Sequence, residues 1–314
     1  MKKSITTFLK HPTKDLSNRS ANPPVIRAST ILFDTMQELY MHEKKIKKHQ
    51  KVSHYSYGRY GSSTTIELEN ILKGLENAYH VFLTGTGFGG VALALMSLCR
   101  PGDEILVSDN VYGPTKEISQ ELMKEFKVDA KFYNPDSLDD LKRKISNKTK
   151  MILVENPGSN TFEFQDLSKI VKVAKRKKIF TLLDNTWGTP LYLKPLKLGF
   201  DMSFCSATKY FSGHSDAMGG SLAVNKKVFR KIMFFYKLSG YRMSADEAYL
   251  IIRGLRTLDT RLKQHYDNTK TIIKFLKKQK KIKEILYPHK PSTNNFKLWK
   301  KYYSGATGLF SIVI

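Results

Sequence analysis

Hydrophobic residues along this chain fall into short apolar runs that are separated by longer stretches with helical periodicity. In the stretch 64–79, apolar residues recur every three or four positions between polar ones, which is typical of an amphipathic helix. Short uninterrupted apolar runs are typical of strands that are buried on both faces of a parallel sheet. The pattern therefore predicts an α/β fold with helices on both faces of a mostly parallel sheet. The predicted strands are residues 81–83, 105–107, 151–154, 180–183, 201–205 and 220–224.

Both ends of the chain depart from this alternation. The first 60 residues lack regular periodicity and predict an extended arm with one short charged helix at 37–48. A long helical region at 244–277 leads to a smaller unit with apolar runs at 285–287 and 309–314. We therefore expect three parts: an N-terminal arm over 1–60, a large domain over 61–250 and a small C-terminal domain over 251–314.

Composition narrows the classes of function. The 314 residues are 41% hydrophobic, no run is long enough to cross a bilayer, and no sustained apolar stretch follows the lysines at the N-terminus. We therefore expect a cytoplasmic protein without a membrane partner. Cys99 and Cys205 are far apart and lack metal-ligand spacing, so we expect two buried thiols and no metal site.

The net charge of +25 has two interpretations. Dense positive charge attracts nucleic acids, and it also arises when lysines cover the solvated faces of helices. The chain has 42 lysines but 11 arginines, whereas specific phosphate and base contacts favour arginine. The lysines are also scattered over predicted helices, as at 142–144 and 175–178. We favour the solvated surface and expect no specific nucleic-acid partner.

The most informative chemistry follows the predicted strand at 201–205, where Lys209 stands close to two hydroxyl side chains. Ser206 and Thr208 supply those hydroxyls, and Asp184 ends the preceding predicted strand. A lysine amine and an aspartate carboxylate at two strand ends are the pair that pyridoxal phosphate requires. The lysine bonds to the cofactor, and the aspartate keeps the ring nitrogen protonated. The alternative is a solvated lysine after a strand, which the neighbouring carboxylate and hydroxyls disfavour.

A glycine-rich loop follows the first predicted strand. Gly85, Gly87 and Gly90 match the spacing G-x-G-x-x-G and precede a predicted helix at 91–98. Backbone amides at such a helix start bind phosphate, and the helix dipole favours the anion. The same spacing occurs in nicotinamide dinucleotide sites, but that interpretation gives Asp184 and Lys209 no function. We therefore favour a phosphate site.

Several motifs, in order along the chain, together resemble one enzyme family and cover nearly its whole length. They are Tyr-Gly-Arg at 57–59, Glu-Asn-Pro-Gly-Ser at 155–159, Asp-Asn-Thr-Trp at 184–187, Ala-Thr-Lys-Tyr at 207–210, and the segments 213–218, 253–258 and 308–311. On these motifs the chain resembles the pyridoxal-phosphate enzymes of cysteine and methionine metabolism. Among them it is most similar to the bacterial cystathionine β-lyases.

This resemblance implies a fold-type I architecture, with a seven-stranded sheet in the cofactor-binding domain and an incomplete C-terminal α+β domain. It also implies a homo-oligomer, arranged as a dimer of dimers. Family members continue for several dozen residues beyond the position that matches Ile314, and that segment carries the arginine that binds the substrate carboxylate. We therefore expect the chain as given to bind cofactor but to turn over substrate slowly.

The resemblance also implies roles for individual residues. Lys209 carries the cofactor and takes the Cα proton of an amino-acid substrate, Asp184 contacts the ring nitrogen, and Tyr112 stacks on the ring. Tyr57 or another tyrosine assists proton transfer. The residues implied to hold the phosphate are Gly87, Phe88, Ser206 and Thr208, with Tyr57 and Arg59 from a neighbouring subunit.

The implied reaction is β-elimination from L-cystathionine, which gives homocysteine, pyruvate and ammonia in the transsulfuration route of methionine biosynthesis. Two alternatives stay open: a related γ-lyase or γ-synthase of sulfur amino acids, and a truncated remnant without catalytic activity. Ser159 stands where many relatives have an asparagine, and we interpret His214 as a structural group in a glycine-rich turn.

Overall fold

Seven strands form one large sheet, and two further strands form a small sheet near the C-terminus. The computed structural model describes residues 22–48, 52, 54–288 and 293–314. Within them, the large sheet contains β1 His80–Thr84, β2 Glu104–Ser108, β3 Asp129–Tyr133, β4 Thr149–Glu155, β5 Phe180–Asp184, β6 Met202–Ser206 and β7 Gly220–Val224. The small sheet pairs β8 Glu284–Leu286 with β9 Ser311–Val313.

Helices precede the large sheet, connect most of its strands and follow it. They are α1 Met36–Lys47, α2 Ser63–Glu76, α3 Gly87–Leu98, α4 Gly113–Glu117, α5 Met123–Glu125, α6 Leu138–Lys144, α7 Leu167–Arg176, α8 Thr189–Tyr192, α9 Pro195–Leu198, α10 Lys226–Ser239, α11 Ala245–Leu255, α12 Leu258–Leu276 and α13 Asn294–Tyr302. A 3₁₀ turn spans Gly58–Tyr60, and a π-helical turn at Ile118–Leu122 joins α4 to α5.

The large sheet has the strand order β1-β7-β6-β5-β4-β2-β3. Strands β2 to β6 are parallel to one another, whereas β7 is antiparallel to both β1 and β6. The predicted α/β fold with a mostly parallel seven-stranded sheet is therefore confirmed. Since parallel strands end at the same edge of a sheet, the last residues of β4, β5 and β6 lie at one edge. These residues are Glu155, Asp184 and Ser206.

Helices cover both faces of this sheet because its strands are apolar on both faces. Phe82, Leu153 and Phe204 pack in one core cluster with the apolar residues of α3 and α10. Ile152 belongs to a second cluster with α7, and Leu83 belongs to a third with α2 and α11. Neighbouring residues of β4 thus point to opposite cores, as expected for a strand with helices on both sides.

The structure differs from the sequence pattern in three elements. Strand β3 is not among the predicted strands, because it lies at the sheet edge and most of its residues are partly or fully exposed. The predicted helix at 244–277 is two helices, since the chain turns at Arg256 and Thr257 between α11 and α12. The predicted strand at 309–314 contains three strand residues, and both Ile312 and Val313 are exposed.

The described part of the predicted arm packs on α2. Thr64 Oγ1 accepts a hydrogen bond from Ile26 N (3.0 Å) and donates one to Pro24 O (2.7 Å). Helix α1 corresponds to the predicted charged helix, and it is followed by the turn that carries Tyr57. Residues 1–21 of the arm lie outside the described residues. The domain boundaries after 60 and 250 stay predictions.

Both cysteines are buried and unpaired, as predicted. In the described part of the chain, no helix combines the length and the apolar character that a membrane span needs. The described residues also contain no group of three or more histidines, cysteines and carboxylates that could hold a metal ion.

Candidate active site

The carboxyl ends of β4, β5 and β6 bring polar side chains to one edge of the sheet. Glu155 and Asp184 are register partners on adjacent parallel strands. After Ser206, at the end of β6, the chain forms a loop over residues 207–219, which we call the Lys209 loop, before β7 begins. Lys209 is exposed, and its backbone N–H donates to Ser206 O (3.2 Å). The amine and the carboxylate predicted from sequence therefore follow neighbouring strands at the same sheet edge.

The glycine-rich loop lies directly beside Ser206. A Cβ atom on Gly87 would lie 2.5 Å from Ser206 Oγ, so only a glycine lets the start of α3 approach this hydroxyl so closely. Thr86 caps α3, because its Oγ1 accepts from Gly89 N (3.0 Å). Phe88, in the first turn, is 40% exposed. The amides at the start of α3 and the Ser206 hydroxyl thus form a surface that suits an anion.

The second predicted phosphate hydroxyl, on Thr208, has partners within its own loop. Its Oγ1 donates to Gly219 O (3.2 Å) and accepts from Gly219 N (3.0 Å). The next residue, Gly220, lies against the glycine-rich loop, since a Cβ there would be 2.6 Å from Thr86 O. Thr208 therefore joins the two ends of the Lys209 loop beside the start of α3, while Ser206 faces that start directly.

Two carboxyl groups share the ends of β4 and β5. Burial raises the pKa of Asp184 to about 6, although hydrogen bonds from Thr186, including one from its backbone N (2.9 Å), oppose the shift. Burial, and then the charge of Asp184, raises the pKa of Glu155 well above its usual range. Glu155 Oε2 accepts from Tyr112 N (2.7 Å). Two such close carboxyl groups favour a single negative charge, so the pair retains a proton near neutral pH.

The other residues singled out from the sequence lie around this pair. Tyr112 stands before α4, and its side chain is 52% exposed. Ser159 N donates to Asn110 O (2.7 Å), and the Ser159 side chain forms a hydrogen bond that lowers the pKa of Glu155. His214 is exposed in the Lys209 loop, where its Nδ1 lies 2.7 Å from Ser212 O. That contact within its own turn suits the structural interpretation of His214.

Tyr57 and Arg59 belong to a different surface, a cavity of about 570 Å³ beside the arm. The Arg59 guanidinium lies over the Tyr57 ring, 5.4 Å from its centroid, and both side chains are exposed. Within the part of the chain that the structure describes, the residues that line this cavity include neither Lys209 nor Asp184. In one copy of the chain, Tyr57 and Arg59 therefore line a cavity that Lys209 and Asp184 do not line.

The side chains at the sheet edge fit pyridoxal phosphate chemically. An aldehyde carbon requires an amine, a pyridinium nitrogen requires a carboxylate, and a phosphate requires amide and hydroxyl donors. Lys209 supplies the amine, and Asp184 supplies the carboxylate. The start of α3 and Ser206 supply the amide and hydroxyl donors, where Gly87 leaves space that any Cβ would fill.

Two further residues belong to this region without a predicted function: Glu155 lies in the site, and Gln165 lies directly behind it. Glu155 is the last residue of β4 and follows an apolar run, as Asp184 does on β5. The strand-end argument that selects Asp184 would also select Glu155. Gln165 lies between β4 and α7 and carries no comparable signal.

Comparison with known proteins extends this picture. The chain is 36% identical over 293 residues to a putative cystathionine β-lyase of Rhizobium johnstonii, covering 93% of this chain and 72% of the relative. It is equally identical, over 301 residues, to the L-alanine/L-glutamate racemase of Wolbachia pipientis wMel, covering 94% of this chain and 74% of the relative.

The chain is also similar to a solved enzyme structure and to one enzyme family. The cystathionine γ-lyase of Lactobacillus plantarum, complexed with L-serine, superposes with a TM-score of 0.91 at 26% identity, covering 99% of this chain and 78% of that one. Residues 6–314 match the family described as Cys/Met metabolism PLP-dependent enzyme. The chain therefore belongs to this family of pyridoxal-phosphate-dependent enzymes of cysteine and methionine metabolism.

Proposed function

We propose that this chain is a carbon–sulfur β-lyase that converts L-cystathionine and water into homocysteine, pyruvate and ammonia. The observation that carries the proposal is the gathering of Lys209, Asp184 and the Gly87–Ser206 surface at one sheet edge. The choice of substrate is supported by the relative from Rhizobium johnstonii, which is described as a putative cystathionine β-lyase.

Lys209 and Asp184 perform the proton chemistry in this proposal. Lys209 Nζ would hold the cofactor covalently until the substrate amine replaces it, and the freed Nζ would then take the proton from the substrate Cα. Asp184 would hold a negative charge against the ring nitrogen, and that charge disfavours ionisation of the neighbouring Glu155, which accepts the Tyr112 N–H. When bound, pyridoxal phosphate supplies an electron sink for the negative charge that develops at Cα.

The remaining residues of the sheet edge bind and orient. The amides of Gly87 and Phe88 and the hydroxyl of Ser206 would hold the phosphate, and Thr208 contributes by joining the two ends of the Lys209 loop beside them. Tyr112, which is half exposed and whose backbone N is held by Glu155, would stack on the cofactor ring. Each of these contacts restricts the cofactor to one orientation, which effective proton transfer at Cα requires.

Tyr57 and Arg59 act on a second copy of the chain in this proposal. Both side chains are exposed at the turn Gly58–Tyr60, and Lys209 of the same chain is not among the described residues that line the cavity beside them. A guanidinium and a phenol are suitable donors to a phosphate. The complete site thus contains residues of two subunits, and Tyr57 is placed to assist proton transfer there.

The reaction is tested by incubating the purified, cofactor-loaded protein with L-cystathionine and identifying the products. Pyruvate with homocysteine, absent from the Lys209→Ala variant, supports the proposal. 2-Oxobutanoate with cysteine indicates the γ-lyase alternative, which the structural similarity to the Lactobacillus plantarum enzyme favours. The absence of any product from a protein that binds cofactor contradicts both lyase assignments.

A second candidate function is amino-acid racemisation, because the Wolbachia pipientis racemase is as similar to this chain as the Rhizobium johnstonii relative. Racemisation and β-elimination both begin with removal of the Cα proton, and they differ in whether a leaving group departs from Cβ. Incubation with L-alanine, followed by chiral analysis for D-alanine, tests the racemase directly. Turnover of L-alanine without pyruvate from L-cystathionine would favour racemisation.

A further inference from the structure

A ring of hydrogen bonds surrounds the backbone of Tyr112. Tyr112 N donates to Glu155 Oε2 (2.7 Å), and Asn110, two residues earlier, accepts the Ser108 hydroxyl through its Oδ1. Gln165 closes the ring, because its Nε2 donates both to Ser108 Oγ (3.0 Å) and to Glu155 O (3.2 Å). The Tyr112 side chain is half exposed, so the ring of bonds positions it through its backbone.

Gln165 is held from all sides. It is 2% exposed, its Oε1 accepts from Tyr133 OH (2.9 Å), and its backbone N donates to Asn156 Oδ1 (2.6 Å). Its side chain therefore joins the last residues of three neighbouring strands, Ser108 of β2, Tyr133 of β3 and Glu155 of β4. A buried amide with all these partners has one favourable orientation, since any other would leave buried polar groups unpaired.

We propose that Gln165 is a positioning residue that fixes Tyr112 over the cofactor site through this ring of hydrogen bonds. The inference rests on the proposed function in one respect, that Tyr112 contacts the bound cofactor. Without the Gln165 amide, Ser108 and the Glu155 carbonyl lose their shared donor. Asn110 then keeps its bonds to Ser159 N (2.7 Å) and Glu163 Oε2 (3.1 Å), but the Ser108 hydroxyl that contacts Asn110 Oδ1 loses the donor that orients it.

The test replaces Gln165 with methionine, which has a similar length and volume but no hydrogen-bonding amide. The matched control is Thr149→Val, which removes a buried hydrogen bond to Glu104 (2.9 Å) at the opposite end of β4. Two quantities are measured: the Kd of the cofactor-free protein for pyridoxal phosphate, and the visible circular dichroism of the bound cofactor. Both variants are expected to lower Tm. Gln165→Met is expected to weaken cofactor binding about tenfold and to change the visible spectrum, whereas the control stays within about twofold.

A double-mutant cycle distinguishes positioning from general loss of stability. If Gln165 acts through Tyr112, adding Gln165→Met to Tyr112→Ala has little further effect on the Kd. Additive effects, or a Gln165→Met variant that binds cofactor like the control, would overturn the proposal. Should Gln165→Met fail to fold, Ser108→Ala interrupts the same ring and is judged by the same measurements. Because neither readout is turnover, failure of β-lyase activity and failure of this inference are separate outcomes.

Discussion

Lys209 is one of 42 lysines, and its position distinguishes it from the others. It follows the strand next to the one that ends at Asp184, and the last residue of its own strand, Ser206, lies against the start of α3. We therefore predict that borohydride reduction of the cofactor-loaded protein, followed by peptide mapping, finds the pyridoxyl group on Lys209. The Lys209→Ala variant should carry no stable label. A pyridoxyl group on another lysine of the unmodified chain would contradict the assignment.

The negative charge of Asp184 can be tested separately from the covalent attachment at Lys209. Asp184→Asn keeps the size of the side chain but removes the negative charge proposed to hold the ring nitrogen protonated. Loss of such a charged contact costs a few kcal/mol, so we expect kcat to fall by about a hundredfold or more. The measurement is steady-state kinetics at saturating cofactor.

The control for this charge is Asp216→Asn, which changes an exposed carboxylate in the Lys209 loop. Its kcat should stay within about twofold of the unmodified chain. Equal losses in both variants would show that the effect is not specific to the charge of Asp184.

The side chains that the sequence could predict share one property: they follow a strand or a glycine loop in the chain itself. Lys209, Asp184 and Gly87 were found in that way, and the structure brings them to one sheet edge. Gln165 could not be found, because its function depends on Ser108 and on other partners that are distant in sequence. Such contacts exist only after the sheet has formed.

Secondary structure was predictable where burial is high on both faces of an element. The central strands appear as apolar runs because both of their faces are buried. The sequence does not indicate strand β3, because this edge strand places most of its residues partly or fully in solvent. Its sequence therefore resembles that of a polar loop. The sequence does not indicate the break between α11 and α12, because Arg256 and Thr257 interrupt neither the charge pattern nor the apolar pattern of the helical stretch.

Helix α2 contains a carboxyl group that makes stability depend on pH. Burial raises the pKa of Glu69 to about 8, although the Tyr55 hydroxyl donates to its Oε2 (3.1 Å) and Lys73 also opposes the shift. Because the folded state binds this proton more tightly than the unfolded chain does, stability falls as pH rises from about 4.5 to about 8. Above that range the penalty is constant.

Glu69→Gln removes this titration, since the amide is neutral at every pH. Glu69→Gln should change the free energy of unfolding, relative to the unmodified chain, more favourably at pH 9 than at pH 5. The difference between the two effects should be about 2–4 kcal/mol. Urea denaturation of the cofactor-free protein at both pH values measures the difference. Glu121→Gln, at an exposed carboxylate, should show no such dependence. A Glu69→Gln effect that is equal at pH 5 and pH 9 would contradict the buried titration.

At the scale of the whole molecule, the proposed active site is shared between two copies of the chain. The fold places Tyr57 and Arg59 on an exposed turn, while Lys209 lies on a loop at the edge of the large sheet. The resemblance to the family implied that these groups meet across a subunit boundary. No pattern of residues within one chain carries that information, because the contacting surfaces belong to different copies.

Hybrid oligomers test this sharing directly. Arg59→Ala chains and Lys209→Ala chains should each be nearly inactive. Subunits mixed at equal amounts should recover about one quarter of the unmodified activity, because half of the dimers are hybrids and each hybrid has one intact site. The control mixes the unmodified chain with the Arg59→Ala, Lys209→Ala double variant, where both sites of every hybrid are damaged and activity should fall on exchange. Native mass spectrometry establishes that subunits exchange. Exchange without recovery in the first mixture would place Arg59 outside the neighbouring site, and Tyr57 would then need a function within its own subunit.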